Sequence, residues 1–207
     1  MRPQLNIPTL LTLGRMALIP LFVIVFFLGE WARPAAAFMF LLAGLTDWLD
    51  GYLARRLNQT SHFGAFLDPV ADKLIVAVAL VLILYVHDGL FGIAVAVSSA
   101  IIIGREIGIS AVREWMALLG ARQRVAVVAI GKIKMIVQVI AIFLLLYKRP
   151  IYGIEIYDYG VLLLLIAAAL TLWSMFVYLR AAWPIIVDPN TEISPGQARP
   201  ADRDGDA

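Results

Sequence analysis

The sequence predicts an all-α integral membrane protein in which six transmembrane helices form one bundle. Of its 207 residues, 62% are hydrophobic and only 15% are charged, and the mean hydropathy is +0.87. A soluble domain is about 45–50% apolar and about 25% charged, so this excess of apolar side chains needs a bilayer around it. The composition therefore excludes an ordinary cytosolic enzyme, a disordered protein and a nucleic-acid-binding module.

The individual spans follow from apolar runs near the ~20 residues that cross a bilayer as a helix. In chain order, the runs cover residues 9–28, 35–57, 68–86, 91–119, 125–147 and 159–183. The connections between the runs are short, which predicts a single domain over residues 1–187. Residues 188–207 are polar and rich in proline, glycine and aspartate, so we expect a disordered tail there.

The distribution of basic residues predicts the orientation of the bundle. With the N-terminus inside, the inner side holds Arg2, Arg55, Arg56, Arg122, Arg124 and Arg180, and the outer side holds Arg33, Lys148 and Arg149. Lysine and arginine accumulate in short cytoplasmic loops. We therefore expect both termini of the chain to lie in the cytoplasm.

Cysteine and histidine usage limits the metal chemistry. The sequence has no cysteine and two histidines, so disulfides and thiolate chemistry are excluded and a zinc site of the usual type is disfavoured. A bound metal would have mainly oxygen ligands, which favours Mg²⁺, Mn²⁺ or Ca²⁺.

Several charged residues interrupt or border the apolar runs, where an isolated charge at mid-bilayer costs ~2.5–3.5 kcal/mol. They are Asp47, Asp50, Asp68, Asp72, Lys73, Arg105, Glu106, Arg113, Lys132 and Lys134. One interpretation is that acids and bases pair inside the bundle. A second is that the carboxylates form an intramembrane pathway for protons or cations, and a third is a catalytic site.

The spacing of the aspartates favours a metal site. Asp47 and Asp50 are three residues apart, and Asp68 and Asp72 are four apart, so each pair shares one helix face. Because a short loop joins the two helices, we expect them to be antiparallel neighbours whose four carboxylates converge. Such a cluster would repel itself unless divalent cations bind there, and paired carboxylates hold two metals in many phosphoryl-transfer sites.

Small residues lie among these aspartates. Gly51, Ala54 and Gly64 either let helices pack closely or leave room for a flat group such as a nucleotide base. Arg55 is placed either to meet a phosphate or to anchor the cytoplasmic end of its helix.

The whole stretch matches the signature D-x2-D-G-x2-A-R-x8-G-x3-D-x3-D, with its fixed positions at Asp47, Asp50, Gly51, Ala54, Arg55, Gly64, Asp68 and Asp72. On this motif the chain resembles the CDP-alcohol phosphotransferases. Further runs within residues 6–15, 63–73 and 105–115 are similar to the branch of that family that uses glycerol 3-phosphate. The resemblance covers about residues 5–179.

The resemblance implies a six-helix fold of this family's type and transfer of a phosphatidyl group from CDP-diacylglycerol to sn-glycerol 3-phosphate, with CMP as second product. It implies two Mg²⁺ or Mn²⁺ ions on Asp47, Asp50, Asp68 and Asp72, with Asp72 also acting as general base. It places Gly51, Ala54, Arg55, Gly64 and, more weakly, Ser61 beside CDP-diacylglycerol. It further implies a homodimer in the bacterial cytoplasmic membrane, with the active site facing the cytoplasm.

The acceptor would be a dianion, so its pocket needs cations. Arg105, Arg113 and Lys132 are the candidates, followed by Arg15, Lys73 and Lys134. Arg105 and Arg113 are eight residues apart, about 12 Å along a straight helix, so they could grip one phosphate only from two sides. The alternative is that each pairs with its neighbouring glutamate, and the acceptor could instead be inositol phosphate.

Overall fold

Long helices make up nearly all of the described structure. The computed structural model describes residues 7–57, 62–86, 89–118, 129–150 and 153–187. Within these ranges the chain forms six α-helices, which are α1 (Ile7–Phe27), α2 (Arg33–Leu57), α3 (His62–Tyr85), α4 (Gly89–Leu118), α5 (Ala129–Tyr147) and α6 (Ile156–Val187). A short 3-10 turn at Glu30–Ala32 joins α1 to α2. The predicted all-α fold and the order of its six helices are confirmed.

The start of α3 differs from the sequence prediction. The helix begins at His62, six residues before the predicted span, and Pro69 lies inside it. Hydropathy marks where a chain enters the apolar layer, whereas a helix continues into the polar interface as long as its backbone bonds are satisfied. Gly64, Asp68 and Asp72 therefore lie on one continuous helix. The predicted tail, residues 188–207, lies outside the described residues.

Three segments are long and apolar enough to cross a membrane by length and composition alone. Among the described residues they are Leu10–Phe27, Gly89–Met116 and Ile156–Arg180, and α5 adds the shorter apolar stretch Ile133–Tyr147. The helices α2 and α3 carry the motif aspartates and do not belong to this set. That they also span the bilayer stays a prediction, based on their place in the bundle.

The helices pack around a continuous apolar core. The helix α6 packs along both α5 and α4, α2 packs against α1 and α5, and α3 packs chiefly against α1. Phe22, Leu80, Ile83, Ile142 and Leu146 are fully buried at the centre. Buried alanines allow the close approach of helix backbones on which association within a bilayer depends; they include Ala36, Ala37, Ala43, Ala79, Ala141 and Ala167.

The connection between α2 and α3 sets the level of the motif aspartates. Only four residues separate Leu57 from His62, so the two helix ends lie close together. At about 1.5 Å per residue, Asp47 and Asp50 lie about 10–15 Å back from this end along α2, and Asp68 and Asp72 lie about 9–15 Å along α3. All four residues therefore lie at one level of the bundle.

The tightest described glycine contact is between α5 and α6. A Cβ atom added to Gly160 would lie 3.0 Å from Leu145 Cγ and 3.2 Å from Leu144 Cβ. A side chain at this position would push the two helices apart or force Leu145 out of its rotamer. Gly108 offers a matched comparison, because nothing lies within 4 Å of its added Cβ.

We expect Gly160→Val to destabilise the protein by about 1–3 kcal/mol through overpacking. Gly108→Ala should leave stability unchanged or raise it by up to about 1 kcal/mol, because alanine favours the helix. Unfolding in detergent, followed by tryptophan fluorescence, measures both. An unfolding midpoint of Gly160→Val equal to wild type would contradict the close α5–α6 packing.

Candidate active site

One large groove lies between five of the helices. It has a volume of about 1290 Å³ and is bounded by α2, α3, α4, α5 and α6. One part of its wall is apolar and includes Phe38, Met39, Leu42, Met135 and Val139. The other part is polar and consists of Asp72, Lys73, Arg105, Glu106, Arg113, Lys134, Gln138, Ser174 and Tyr178. A ligand with a charged head and apolar chains fits such a division.

The carboxylate side of the groove is formed by α3. Asp72 is half-buried and lines the groove, while Asp47, Asp50 and Asp68 lie at the same level on α2 and α3. Oxygen ligands contributed at one level by two adjacent helices are a suitable donor set for Mg²⁺ or Mn²⁺. The level of the backbone positions thus fits the predicted metal site, and the metal-binding roles stay predictions.

The residues predicted to contact CDP lie nearer the α2–α3 connection. Gly51, Ala54 and Arg55 are in the last two turns of α2, and Gly64 is in the first turn of α3. All four residues therefore lie between the aspartates and the α2–α3 connection. Ser61 lies outside the described residues, and the CDP contacts stay predictions.

The cationic side of the groove is organised around Glu106. Arg105 Nη1 donates a hydrogen bond to Glu106 Oε1 at 2.9 Å, and Lys134 Nζ donates to the same oxygen at 2.5 Å. Arg105 Nη2 also donates to Ser174 Oγ at 3.2 Å. These bonds join α4 to α5 and α6 around one carboxylate.

Arg113 is held differently. Its guanidinium lies over the ring of Tyr178, with Cζ 5.7 Å from the ring centroid, which is within the range of a cation–π interaction. Tyr178 is buried among Ile109, Met116 and Met175, so its ring has a fixed position. The interaction leaves the Arg113 hydrogen-bond donors available to a ligand in the groove.

The remaining predicted cations divide into two groups. Lys73 lines the groove and donates a hydrogen bond to the Pro69 carbonyl oxygen, 3.3 Å away. Arg15 is buried on α1 and is not among the residues that line the groove. Lys132 lies on α5, and its side chain lies outside the described part of the structure. Their assignments to the acceptor stay predictions.

Lys134 is a secondary candidate from the sequence, and Gln138, Ser174 and Tyr178 are not predicted from it. The structure places all four in the groove wall. Lys134 and Gln138 are four residues apart in an otherwise apolar run, a spacing that puts two polar side chains on one helix face. That signal was available in the sequence. Ser174 and Tyr178 have the same spacing on α6, but ordinary polar and aromatic residues of this kind are common in membrane helices.

Comparison with known proteins gives a consistent result along nearly the whole chain. A family model described as CDP-alcohol phosphatidyltransferase matches residues 5–173. A Pectobacterium atrosepticum protein named CDP-diacylglycerol–glycerol-3-phosphate 3-phosphatidyltransferase is 52% identical over 189 residues, covering 90% of this chain and 100% of the relative. Two relatives of the same name come from Yersinia pestis and Shigella flexneri. The first is 50% identical to this chain over 187 residues, covering 90% of this chain and 100% of the relative. The second is 52% identical over 186 residues, covering 89% of this chain and 99% of the relative.

The Glu106 cluster gives a stability prediction. Lys134 is almost fully buried, and Lys134→Met removes one of two cations that compensate the Glu106 carboxylate. We expect a loss of about 1–3 kcal/mol, less than for a fully broken buried pair because Arg105 still bonds Glu106. Lys73→Met, which loses only a bond to a backbone carbonyl, should change stability by less than about 0.5 kcal/mol. Equal unfolding midpoints for the two variants would contradict this account of the cluster.

Proposed function

The chain belongs to the CDP-alcohol phosphatidyltransferase family, and from this membership we infer that it transfers the phosphatidyl group of CDP-diacylglycerol to sn-glycerol 3-phosphate. The products are phosphatidylglycerophosphate and CMP. The observation that carries the proposal is the sequence identity of 50–52% to relatives named for this reaction, over about 90% of the chain. The groove supports it, because Asp72, several cationic side chains and an apolar surface all line it.

The metal requirement follows from the family, whose members generally use divalent ions. We propose that Asp47, Asp50, Asp68 and Asp72 hold two Mg²⁺ or Mn²⁺ ions. Bound there, such ions would neutralise the diphosphate of the donor and stabilise the departing CMP. Gly51, Ala54, Arg55, Gly64 and Ser61 would contact the CDP part of the donor, with Arg55 near its phosphates.

The reaction is a direct displacement at phosphorus. The primary hydroxyl of glycerol 3-phosphate attacks the phosphorus that carries the diacylglycerol, an oxygen–phosphorus bond forms, and the bond from that phosphorus to the bridging oxygen breaks. CMP leaves with the bridging oxygen, and Asp72 accepts the proton of the attacking hydroxyl. Asp72 is the motif aspartate whose side chain is described and lines the groove, which supports its role as base.

The phosphate of the acceptor needs cations in the groove that Asp72 lines. Arg113 is our first candidate, because Tyr178 holds its guanidinium by the ring face and leaves the hydrogen-bond donors to the ligand. Arg105 and Lys134 form the adjacent wall, and Lys132 and Arg15 stay secondary candidates. The apolar wall would take the acyl chains of the donor.

We also propose the setting of the reaction. The relatives are bacterial, and the apolar helices require a membrane, so the chain belongs in the cytoplasmic membrane of a bacterium. The excess of arginine on one side supports cytoplasmic termini and a cytoplasmic active site. Residues 1–187 would form the catalytic domain, residues 188–207 a disordered tail, and two chains a homodimer.

The assay is release of CMP by the purified protein in detergent with CDP-diacylglycerol and Mg²⁺. Glycerol 3-phosphate, inositol phosphate and serine are offered separately. We expect release with glycerol 3-phosphate alone. Release with inositol phosphate would keep the chemistry and change the acceptor, and no release with any acceptor by folded protein would reject the enzyme and favour a cation or proton pathway.

Asp72→Asn should lower the rate of CMP release by about 100-fold or more, because general-base catalysis contributes about 10²–10⁴-fold. Asp158→Asn is the matched control, since Asp158 lies in the first turn of α6 at the opposite end of the bundle. It should retain wild-type activity. Activity of Asp72→Asn within about threefold of wild type would exclude Asp72 as the base.

Arg113→Gln should raise the KM for glycerol 3-phosphate by about 10–100-fold, the equivalent of a charged hydrogen bond worth about 1.5–3 kcal/mol. The KM for CDP-diacylglycerol should change little. Arg149→Gln is the control, because Arg149 is exposed and lies beyond the end of α5. If both variants keep the wild-type KM for the acceptor, Arg113 does not bind its phosphate.

A further inference from the structure

Glu106 has no role in the reaction derived above, yet its carboxylate lies at the centre of the cationic wall. One of its oxygens accepts hydrogen bonds from Arg105 Nη1 and Lys134 Nζ. Both nitrogens lie within 3 Å of that oxygen, so the two cations are less than about 6 Å apart. Glu106 thus holds two like charges together that would otherwise repel each other.

The surroundings make this arrangement rigid. Lys134 is only 5% exposed, so its ammonium is largely withdrawn from water and depends on the carboxylate for compensation. Arg105 is fixed at a second point, because its Nη2 donates to Ser174 Oγ, and the Ser174 hydroxyl in turn donates to the Thr171 carbonyl oxygen at 3.0 Å. Three helices therefore determine where the two cations lie.

We propose that Glu106 is a positioning residue that keeps Arg105 and Lys134 at the spacing required to bind the phosphate of the acceptor. This inference rests on the proposed function, since it concerns the acceptor pocket of that reaction. Two consequences of removing the charge oppose each other. The pocket gains positive charge, which alone would tighten phosphate binding, and it loses the anion that holds the two cations together, which weakens binding if geometry dominates.

Glu106→Gln separates these consequences, because the amide oxygen can occupy the same place without the negative charge. If Glu106 positions the cations, the KM for glycerol 3-phosphate rises by about tenfold. The Ki of inorganic phosphate as a competitive inhibitor should rise in parallel, since phosphate needs the same pair of cations. The KM for CDP-diacylglycerol and the kcat at saturating acceptor should stay within about twofold of wild type.

A general structural defect would change kcat and the KM for both substrates together, and this outcome would overturn the proposal. An unchanged KM for glycerol 3-phosphate would also overturn it. A lowered KM would overturn it too, because it would show that the Glu106 carboxylate competes with the phosphate. Glu155→Gln removes the same charge from an exposed site before α6 and should match wild type.

Glu106→Asp covers the case in which Glu106→Gln fails to fold. It keeps the charge and shortens the side chain by one methylene, so it should show the same selective rise in KM at a smaller magnitude. If Glu106→Asp folds and shows no such rise, the proposal fails. If the wild-type protein forms no phosphatidylglycerophosphate, the proposed function itself is wrong. A failure of the positioning role would instead appear only in the Glu106 variants, so the two failures are distinguishable.

Discussion

The charge cluster of Glu106, Arg105 and Lys134 is the constraint on which the described site depends. Each of these groups would be costly in a membrane-embedded helix without compensation. Shared among α4, α5 and α6, the charges compensate one another and fix the relative positions of three helices. The same arrangement gives the groove a cationic wall, so the element that makes the buried charges tolerable also creates the surface that suits a phosphate.

The carboxylate side of the groove has a different origin. The short connection between α2 and α3 places the four motif aspartates at one level of the bundle, because each lies a similar distance along its helix from that connection. Asp72, Arg105, Glu106 and Lys134 line the same groove, so this level of α3 and the cationic cluster border one space. In the proposed reaction, the aspartates would hold the metal ions that neutralise the diphosphate, and the cationic cluster would bind the attacking molecule.

Much of this arrangement is predictable from the sequence. Physical reasons explain both the features that can be predicted and those that cannot. The apolar runs predict the helices because a bilayer restricts the chain to few structures. The spacing of Asp47 to Asp72 predicts a site because few other arrangements would keep four acids in such runs. Which cation enters the groove depends on helix rotation and packing, which hydropathy does not encode. For that reason the sequence does not single out Lys134 as a groove residue, or Tyr178 and Ser174 as the contacts of Arg113 and Arg105.

Under the proposed function, the aspartates of α2 and α3 and the cations of α4 and α5 act on the same substrates in one groove. Anomalous diffraction from crystals grown with Mn²⁺, CMP and glycerol 3-phosphate tests it most directly. We expect manganese between α2 and α3 at the motif aspartates, with the acceptor phosphate beside Arg113 and Lys134 in the same groove. Manganese bound elsewhere, or an acceptor phosphate outside the groove, would contradict it.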